Sequence, residues 1–479
     1  MRTATLALLL ATLPTFSGCA VNPATGQRQL DLIGESREIE IGRSADPDIV
    51  ASMGEVEDPE LNAYVSRIGN ELAAASERPG LPWSFTVLDD PLVNAFALPG
   101  GYVYVTRGIL AHFESEAELA GVLGHEIGHV TARHGVSRMS RTVLQQLGLG
   151  VGKAVSKDIR EYAQLFEVGL GLINLSYSRD EETQSDELGV RYMTRSGYDP
   201  GAMEGVFRML ASVSGSPGSR IPEWQASHPY PENREAHIRD LVAALPPGLS
   251  TTKVERDAYL DRVQGMVYGA NPREGYFNGR RFLHPEMAFQ LIFPEGWKGE
   301  NRRTMVAAQA PDQDGLVALQ LAGDATDPRA ALQAFLDTEG ITGGPAAPSD
   351  RGGLTGWRAP FTAVDGTTAI AGEVLFVAHG GRVFQVMGAS SQGAWPTRRP
   401  SVQAALASFQ PLTDARVLAV QPWRLEVTTL PTSMTLRAFH QRYPSPVSVE
   451  ELAAINRVGV DDTLPQGTRL KRVTGEPLP

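Results

Sequence analysis

The chain has 479 residues, a length that predicts about two to four domains. Its net charge of −12 argues against nucleic acid as a partner, because phosphate-binding proteins concentrate basic residues. The chain has a single cysteine, Cys19, which excludes a disulfide within the chain. Beyond the N-terminus, no apolar run reaches the length that a membrane-spanning helix needs.

The N-terminus has the features of an exported protein. Residues 1–18 carry one basic residue, a short apolar run and small residues before Cys19, which predicts a secretory signal peptide too short to span a bilayer. Residues 16–19 resemble a bacterial lipobox, with Phe16 where Leu is usual, and this resemblance implies a lipid on Cys19. Because Ala20 is not Asp, the resemblance favours the periplasmic side of the outer membrane, with a soluble periplasmic form as the alternative.

An apolar segment over residues 121–135 contains the pattern His125-Glu126-x-x-His129. Residues four apart share one helix face, so the two imidazoles can bind one Zn²⁺ at about 2.0–2.1 Å. Glu126 follows His125 by one residue, so the turn of the helix places its side chain beside the metal and not on it. A general base that takes a proton from water must lie there. The alternative is an ordinary buried helix whose histidines bond to neighbouring residues.

The helix limits are also predicted from local residues. Ser115 followed by Glu118 has the spacing of an N-terminal capping box, and Gly135 is expected to end the helix as its C′ residue. A zincin with a third histidine ligand would need Gly at position 132 and His at position 135, but the chain has Ala132 and Gly135. His134 is out of phase and is interpreted as a structural residue at the helix end.

The third metal ligand is therefore expected to be a carboxylate on another helix. Glu182 and Asp186 lie four apart in an acidic segment, so Glu182 can bind zinc while Asp186 accepts a hydrogen bond from a ligand histidine. Glu181 and Glu187 are expected to face solvent, and the whole segment could instead be a solvated acidic face. Residues 144–175 predict core helices or a lid between the two ligand helices.

Together these residues resemble the gluzincin peptidase family that includes the CAAX-prenyl proteases, the HtpX-type heat-shock proteases and the BepA-like periplasmic proteases. The resemblance covers residues 25–265, and it implies a substrate-binding edge strand over residues 94–97, including Asn94, Ala95 and Phe96. It also extends to His228, Pro229 and Arg234, and implies that His228 either stabilises the oxyanion or occupies the open zinc position in a latent form. Without the resemblance, residues 94–97 could be a core strand and His228 a plain loop residue.

The residue pattern of the C-terminal half differs from that of the N-terminal half. Residues 275–412 contain short strand patterns at 288–293, 317–321, 370–377 and 382–387, with helices predicted at 328–338 and 400–408, which indicates an α+β module. Residues 422–475 predict strand, helix, helix and strand, and resemble a LysM-type peptidoglycan-binding module. Its usual Gly-Asp-Thr-Leu is absent here, so a degenerate LysM-like fold used for docking is the alternative.

The expected fold class is α+β: a mainly helical zincin-type catalytic domain with a small edge-strand sheet at 19–265, the α+β module and a small βααβ module. The expected function is a one-zinc endopeptidase that cleaves unfolded or misassembled envelope proteins. The alternatives are a latent, chaperone-like assembly factor and a peptidoglycan-binding adaptor.

Overall fold

A computed structural model of the chain describes residues 19–148, 176–214, 224, 228, 233–246, 251–350, 352–365 and 368–479. The predicted signal peptide and most of the predicted 144–175 connection lie outside these residues. Within the described part of the chain the fold is mixed α and β, and no helix there is both long enough and apolar enough to cross a membrane.

Helices dominate the region up to residue 265. They are α1 Glu35–Met53, α2 Pro59–Ala74, α3 Arg107–Leu110, α4 Glu116–Thr131, α5 His134–Gly148, α6 Arg179–Arg195, α7 Ala202–Ser214, α8 Arg234–Ala243 and α9 Arg256–Val263. An N-terminal hairpin precedes them, formed by β1 Cys19–Val21 and β2 Arg28–Leu30.

A small sheet supports the metal-binding helix. Its strands are β3 Ser84–Leu88, β4 Ala95–Leu98 and β5 Tyr102–Thr106, in the order β3-β5-β4. β4 pairs antiparallel with β5 and has no other partner strand in this sheet, so it lies at the edge. The turn between β4 and β5 contains Gly100 and Gly101, both with positive φ, a conformation that glycine adopts without strain.

The metal-binding helix α4 begins as expected but ends earlier than expected. The Ser115 side chain accepts from the Glu118 N–H, whereas the Glu118 carboxylate accepts from the Glu114 N–H, so the reciprocal bond of the predicted capping box is not made. The prediction that Gly135 ends the helix is wrong, because Arg133 has φ 60° and α5 starts at His134. This left-handed arginine is held by Asp31, by Glu38 and by the Ile33 carbonyl.

A complete capping box occurs instead at the start of α6. The Ser178 hydroxyl accepts from the Glu181 N–H, and the Glu181 carboxylate accepts from the Ser178 N–H. The prediction that Glu181 is solvated is therefore wrong, since it also pairs with Arg141 and its side chain is only 12% exposed. The Glu187 side chain is 47% exposed, as expected for a solvated face.

The middle module contains two antiparallel sheets. The larger one has the order β12-β14-β15-β16-β11-β10-β9, with β13 on β14, and the smaller one has the order β17-β8-β7-β6. The strands are β6 Tyr276–Asn278, β7 Arg281–His284, β8 Phe289–Ile292, β9 Lys298–Arg302, β10 Met305–Gln309, β11 Gly315–Leu321, β12 Ile341–Gly343, β13 Ala347–Pro348, β14 Gly356–Asp365, β15 Thr368–His379, β16 Arg382–Ser391 and β17 Gln410–Pro411. The helices are α10 Pro328–Leu336, α11 Trp395–Leu406 and α12 Ala415–Leu418, and a 3-10 turn spans Pro272–Glu274.

The elements predicted for this module are present with shifted limits. Each predicted strand overlaps an observed one, and the helix predicted at 400–408 starts earlier, at Trp395. Pro396 occupies the first turn of α11, where proline needs no N–H partner. Pro400, from which we predict the helix to begin, instead lies inside it.

The last segment has the predicted strand–helix–helix–strand order. It comprises β18 Arg424–Thr429, β19 Met434–Thr435, α13 Leu436–Arg442, α14 Val449–Asn456, β20 Thr463–Leu464 and β21 Arg469–Thr474. β18 pairs antiparallel with β21, and the short β19 pairs with β20. We refer to residues 424–474 as the C-terminal module. The division of the chain at 19–265, 275–412 and 422–475 stays a prediction.

Candidate metal centre

Helices α4 and α6 and the residue His228 bring four metal-binding side chains together. The Nε2 atoms of His125 and His129 on α4 lie 3.0 Å apart. Glu182 of α6 places Oε1 3.4 Å from His129 Nε2, and His228 Nδ1 lies 2.9 Å from that oxygen and 3.3 Å from His125 Nε2. All four side chains are buried, and their donor atoms lie within 4.8 Å of one another.

These separations fit a tetrahedral Zn²⁺ site. Bonds of about 2.0–2.1 Å at tetrahedral angles place neighbouring donor atoms about 3.3 Å apart. Four of the six separations between these atoms, 2.9 to 3.4 Å, are close to this spacing, and three imidazole nitrogens with one carboxylate oxygen form a donor set that zinc prefers. In the part of the chain that the structure describes, these four residues form the one cluster of histidines and carboxylates that could hold a metal ion.

Small residues let the two ligand helices approach closely. A Cβ atom added to Gly128 would lie 3.1 Å from Ser185 Cα, and one added to Gly124 would lie 3.3 Å from Gly189 Cα. A larger side chain at Gly128 would therefore push α6 away from α4. Ser185, where the resembling family usually has Ala, is small enough to keep Glu182 within reach of the histidines.

Two of the ligands have protonation states that suit metal binding, whereas Glu182 and Glu126 raise the pKa of His228 against the effect of burial, so this ring must give up a proton to bind a cation. Burial holds the pKa of His129 well below its usual value, so the ring is neutral at pH 7 and its lone pair is available. Burial works to raise the pKa of Glu182, but His228 and His129 outweigh it and hold this pKa well below its usual range. The centre therefore offers a carboxylate and neutral imidazole to a divalent cation.

Glu126 lies beside the four donors without being one of them. It is fully buried, its Oε1 accepts from Trp224 Nε1 at 3.2 Å, and it lies 3.6 Å from His228 Nε2. Its Oε2 has no hydrogen-bond partner among the described residues. Burial raises the pKa of Glu126, since desolvation outweighs the nearby histidines. A buried carboxylate with a free oxygen has the chemistry that a proton acceptor requires.

Asp186 and Arg234 support the ligands from behind. His125 Nδ1 lies 2.9 Å from Asp186 Oδ1, which leaves Nε2 of the ring for the metal. Arg234 donates to both oxygens of Asp186, at 2.6 and 2.8 Å, and to Glu182 Oε2 at 2.7 Å. Arg234 is itself buried, at 3% exposed. Its guanidinium supplies positive charge to two carboxylates that are shielded from water. The sequence singled out Arg234 only as part of a resembling motif.

The sequence analysis missed a role for His134. His134 Nδ1 lies 3.0 Å from His129 Nδ1, and His134 Nε2 lies 2.8 Å from Gln184 Oε1. If His129 binds metal through Nε2, its Nδ1–H donates to His134, whose own N–H then donates to Gln184. Asn22 of the N-terminal hairpin donates to the same Gln184 oxygen at 3.2 Å. The helix break at Arg133 brings His134 back toward His129, which helical spacing alone does not indicate.

This chain of hydrogen bonds predicts an effect on metal affinity. Replacing His134 with Ala removes the acceptor for the His129 Nδ1–H, and we expect zinc affinity to fall by about 10–100-fold. Competition with a chromogenic zinc chelator measures the change. Unaltered zinc affinity together with a lower melting temperature would instead indicate that His134 only fills space.

The predicted substrate-binding residues lie on and before the edge strand β4. The side chains of Asn94, Ala95 and Phe96 are 1%, 0% and 5% exposed, so they support the strand from the interior. The Asn94 backbone pairs with Thr106. A shallow pocket next to the metal ligands is lined by Ala97, Leu98, Pro99, His129 and Tyr177, among others. Tyr177, which the sequence analysis also missed, stacks on His129 with ring centroids 3.8 Å apart.

Comparison with known proteins agrees with this geometry. Residues 59–242 match the family described as "Peptidase family M48", and this match includes all four donor residues, Glu126 and Arg234. The chain contains a peptidase family M48 domain. The resemblance to a zinc metallopeptidase family of the BepA-like type is thereby confirmed.

The chain is also similar to curated relatives over part of its length. The chain is 30% identical over 231 residues to the "Beta-barrel assembly-enhancing protease" of Yersinia pestis, covering 46% of this chain and 47% of that protein. It is 30% identical over 227 residues to the "Mitochondrial metalloendopeptidase OMA1" of Schizosaccharomyces pombe, covering 47% and 66%. It is 32% identical over 168 residues to the "Metalloprotease YcaL" of Escherichia coli, covering 34% and 64%. The chain thus spans between about half and two thirds of the length of these relatives.

Proposed function

We propose that the chain is a zinc-dependent endopeptidase of the bacterial envelope that cleaves unfolded or misassembled envelope proteins. The observation that carries this proposal is the buried Glu126 carboxylate, with one unpartnered oxygen, beside four converging metal donors. When bound, zinc polarises a scissile carbonyl and makes water acidic enough to lose a proton near neutral pH. Glu126 takes that proton and delivers it to the departing amine.

Substrate would lie along β4 as an added strand. An unpaired strand edge binds extended polypeptide through backbone hydrogen bonds, so it accepts varied sequences. Because the side chains of Ala95 and Phe96 are buried, contact with substrate would come from the backbone of the strand. This mode suits unfolded chains, which can become extended at little cost, and disfavours folded ones.

The proposed location is the periplasmic face of the outer membrane, through a lipid on Cys19 after removal of residues 1–18. The lipobox resemblance and the similarity to a beta-barrel assembly-enhancing protease support this location. Labelling with a radioactive fatty acid, compared between the parent and Cys19→Ala, tests it. Cleavage to a soluble periplasmic form would give a protein that is exported without label.

The proposed activity is tested by metal removal and restoration. We expect the protein purified from Ala20 onward to contain one Zn²⁺ per chain, and chelation followed by Zn²⁺ addition to abolish and restore casein cleavage. If the protein does not cleave, the His228→Ala variant described next separates latency from absence of activity. A parent and variant that both bind zinc without cleaving would favour the assembly-factor alternative.

We further propose that His228 holds the enzyme in a latent state. Its Nδ1 lies at the position of a fourth donor, where a catalytic zinc centre needs an open site for water or substrate. We therefore expect His228→Ala to retain zinc and to raise the rate of casein cleavage at least several-fold over that of the parent. A loss of activity in His228→Ala would instead assign His228 to oxyanion stabilisation.

A peptidoglycan-binding adaptor is the second candidate, and the strand–helix–helix–strand order of the C-terminal module favours it. Cosedimentation of the whole protein with purified peptidoglycan tests this role. Binding that the catalytic variants share with the parent would show that adaptor and peptidase functions coexist.

A further inference from the structure

The C-terminal module is packed into the M48 domain and shares its hydrophobic core. One continuous cluster of buried residues includes Leu110 and Phe113, just before the metal-binding helix, together with buried residues of the C-terminal module. Those of the C-terminal module are Leu425, Leu430, Leu436, Phe439, Val447, Leu452, Ile455, Leu464, Leu470 and Val473. A module attached by a flexible linker would bury its apolar side chains separately.

Lys471 extends from β21 into the turn that precedes α4. It is 1% exposed, and its Nζ donates to the carbonyls of Ala111 at 3.1 Å and Phe113 at 2.7 Å. The same Nζ lies 2.9 Å from Glu114 Oε1. Buried backbone carbonyls need a donor, and here the donor comes from the other end of the chain. The turn that starts the metal-binding helix is therefore completed by the C-terminal module.

Arg457 makes a second connection to the same helix. It follows α14 with φ 51° and ψ 43°, a left-handed conformation that non-glycine residues rarely adopt. Its guanidinium pairs through both terminal nitrogens with Glu118, one bond being 2.7 Å, and donates to the His112 carbonyl at 3.0 Å. The Glu118 side chain is 8% exposed, so this is a largely desolvated, two-point ion pair.

Glu118 lies on the same helix as two of the metal ligands. It lies in the first turn of α4, and a helix places residues seven apart on one face about 10 Å apart along its axis. Glu118 and His125 have this spacing. Because a short buried helix moves as a rigid body, fixing its first turn also fixes the position of His125, Glu126 and His129.

We propose that the C-terminal module is a structural part of the metal centre, in which Arg457 and Lys471 are positioning residues that fix the start of the metal-binding helix. This inference rests on the proposed zinc site and deepens it. The C-terminal module would then be required for tight zinc binding as well as for catalysis.

The experiment uses the full mature chain with single substitutions. The test variants are Arg457→Gln and Glu118→Gln, their double mutant, and the conservative Arg457→Lys. The matched control is Arg469→Gln, which removes ion pairs between the same module and Asp257 and Asp261 on α9 without touching α4. Zinc release to a chromogenic chelator, kcat and KM for a fluorogenic casein, and melting temperature are measured for each.

We expect Arg457→Gln to release zinc about tenfold faster than the parent, with lower kcat at similar KM, and Arg457→Lys to recover part of both. The double mutant should release zinc no faster than Arg457→Gln does, since the two substitutions break the same Arg457–Glu118 ion pair. Arg469→Gln should stay within about twofold of the parent in zinc release.

Equal zinc release by Arg457→Gln and Arg469→Gln would overturn the proposal and leave the C-terminal module a role in stability alone. If Arg457→Gln does not fold, Arg457→Lys and Glu118→Gln decide by the same comparison. The zinc measurement does not require proteolysis, so a failure of the proposed peptidase activity is distinguishable from a failure of this proposal.

Discussion

The Glu126→Gln variant should keep its zinc and lose activity by about 10²–10⁴-fold, the usual contribution of a general base. Glu126 lies outside the four-donor group, so the substitution leaves the metal ligands unchanged. Gln keeps the size of the side chain and can still accept from Trp224 Nε1, but it has no basic oxygen for a proton. Zinc content and the initial rate of casein cleavage are the two measurements.

Two comparisons make this test specific. Because the parent is proposed to be latent, the substitution is measured both in the parent and in the His228→Ala background. Glu187→Gln on α6 is the matched control, since its side chain is 47% exposed and it should cleave as the parent does. Cleavage by Glu126→Gln at the parent rate, or loss of zinc from it, would remove Glu126 from the proposed mechanism.

The Arg234→Met variant should lose about 3–5 kcal/mol of unfolding free energy in the zinc-free protein. Arg234 is the cation that directly contacts Glu182 and Asp186, both fully buried, and it also lies over the Phe207 ring at 4.4 Å. Met retains the apolar contact but removes the guanidinium from both carboxylates, which leaves Glu182 with His129 and His228 and Asp186 with His125. Urea unfolding of the zinc-free and zinc-loaded protein measures the loss, which zinc should partly offset by binding Glu182.

The matched control is Arg239→Met on the same helix. The Arg239 side chain is 59% exposed, and among the described residues it pairs with Glu204 and Glu235 at the surface, so its loss should cost at most about 0.5 kcal/mol. A similar cost for both variants would mean that Arg234 stabilises the centre no more than a surface ion pair does.

Local residue patterns predicted the parts of the site that depend on local geometry. His125, Glu126 and His129 follow from helical spacing, and a carboxylate third ligand follows from the absence of histidine at position 135. These features are decided within a few residues, where intrinsic preferences and tertiary packing agree.

Features that require tertiary contacts were not predictable in the same way. Arg133 takes a positive φ because residues 31, 33 and 38 hold its side chain, so the helix ends before Gly135. The role of His134 depends on that break. The contacts of Arg457 with Glu118 join positions more than three hundred residues apart, and the sequence singles out Glu118 only as a capping-box residue and Arg457 not at all.

With the proposed lipid on Cys19, the N-terminal hairpin would set how far the metal centre can lie from the membrane. Asn22 contacts the Gln184 side chain that supports His134, and only two residues separate it from Cys19. If Cys19 carries a lipid, the tether between the bilayer and this network is about 10 Å of extended chain. Such a short tether would keep the catalytic centre close to the lipid surface. Its effective concentration toward polypeptides stalled at the membrane would then be high, and it would seldom encounter unfolded chains elsewhere in the periplasm.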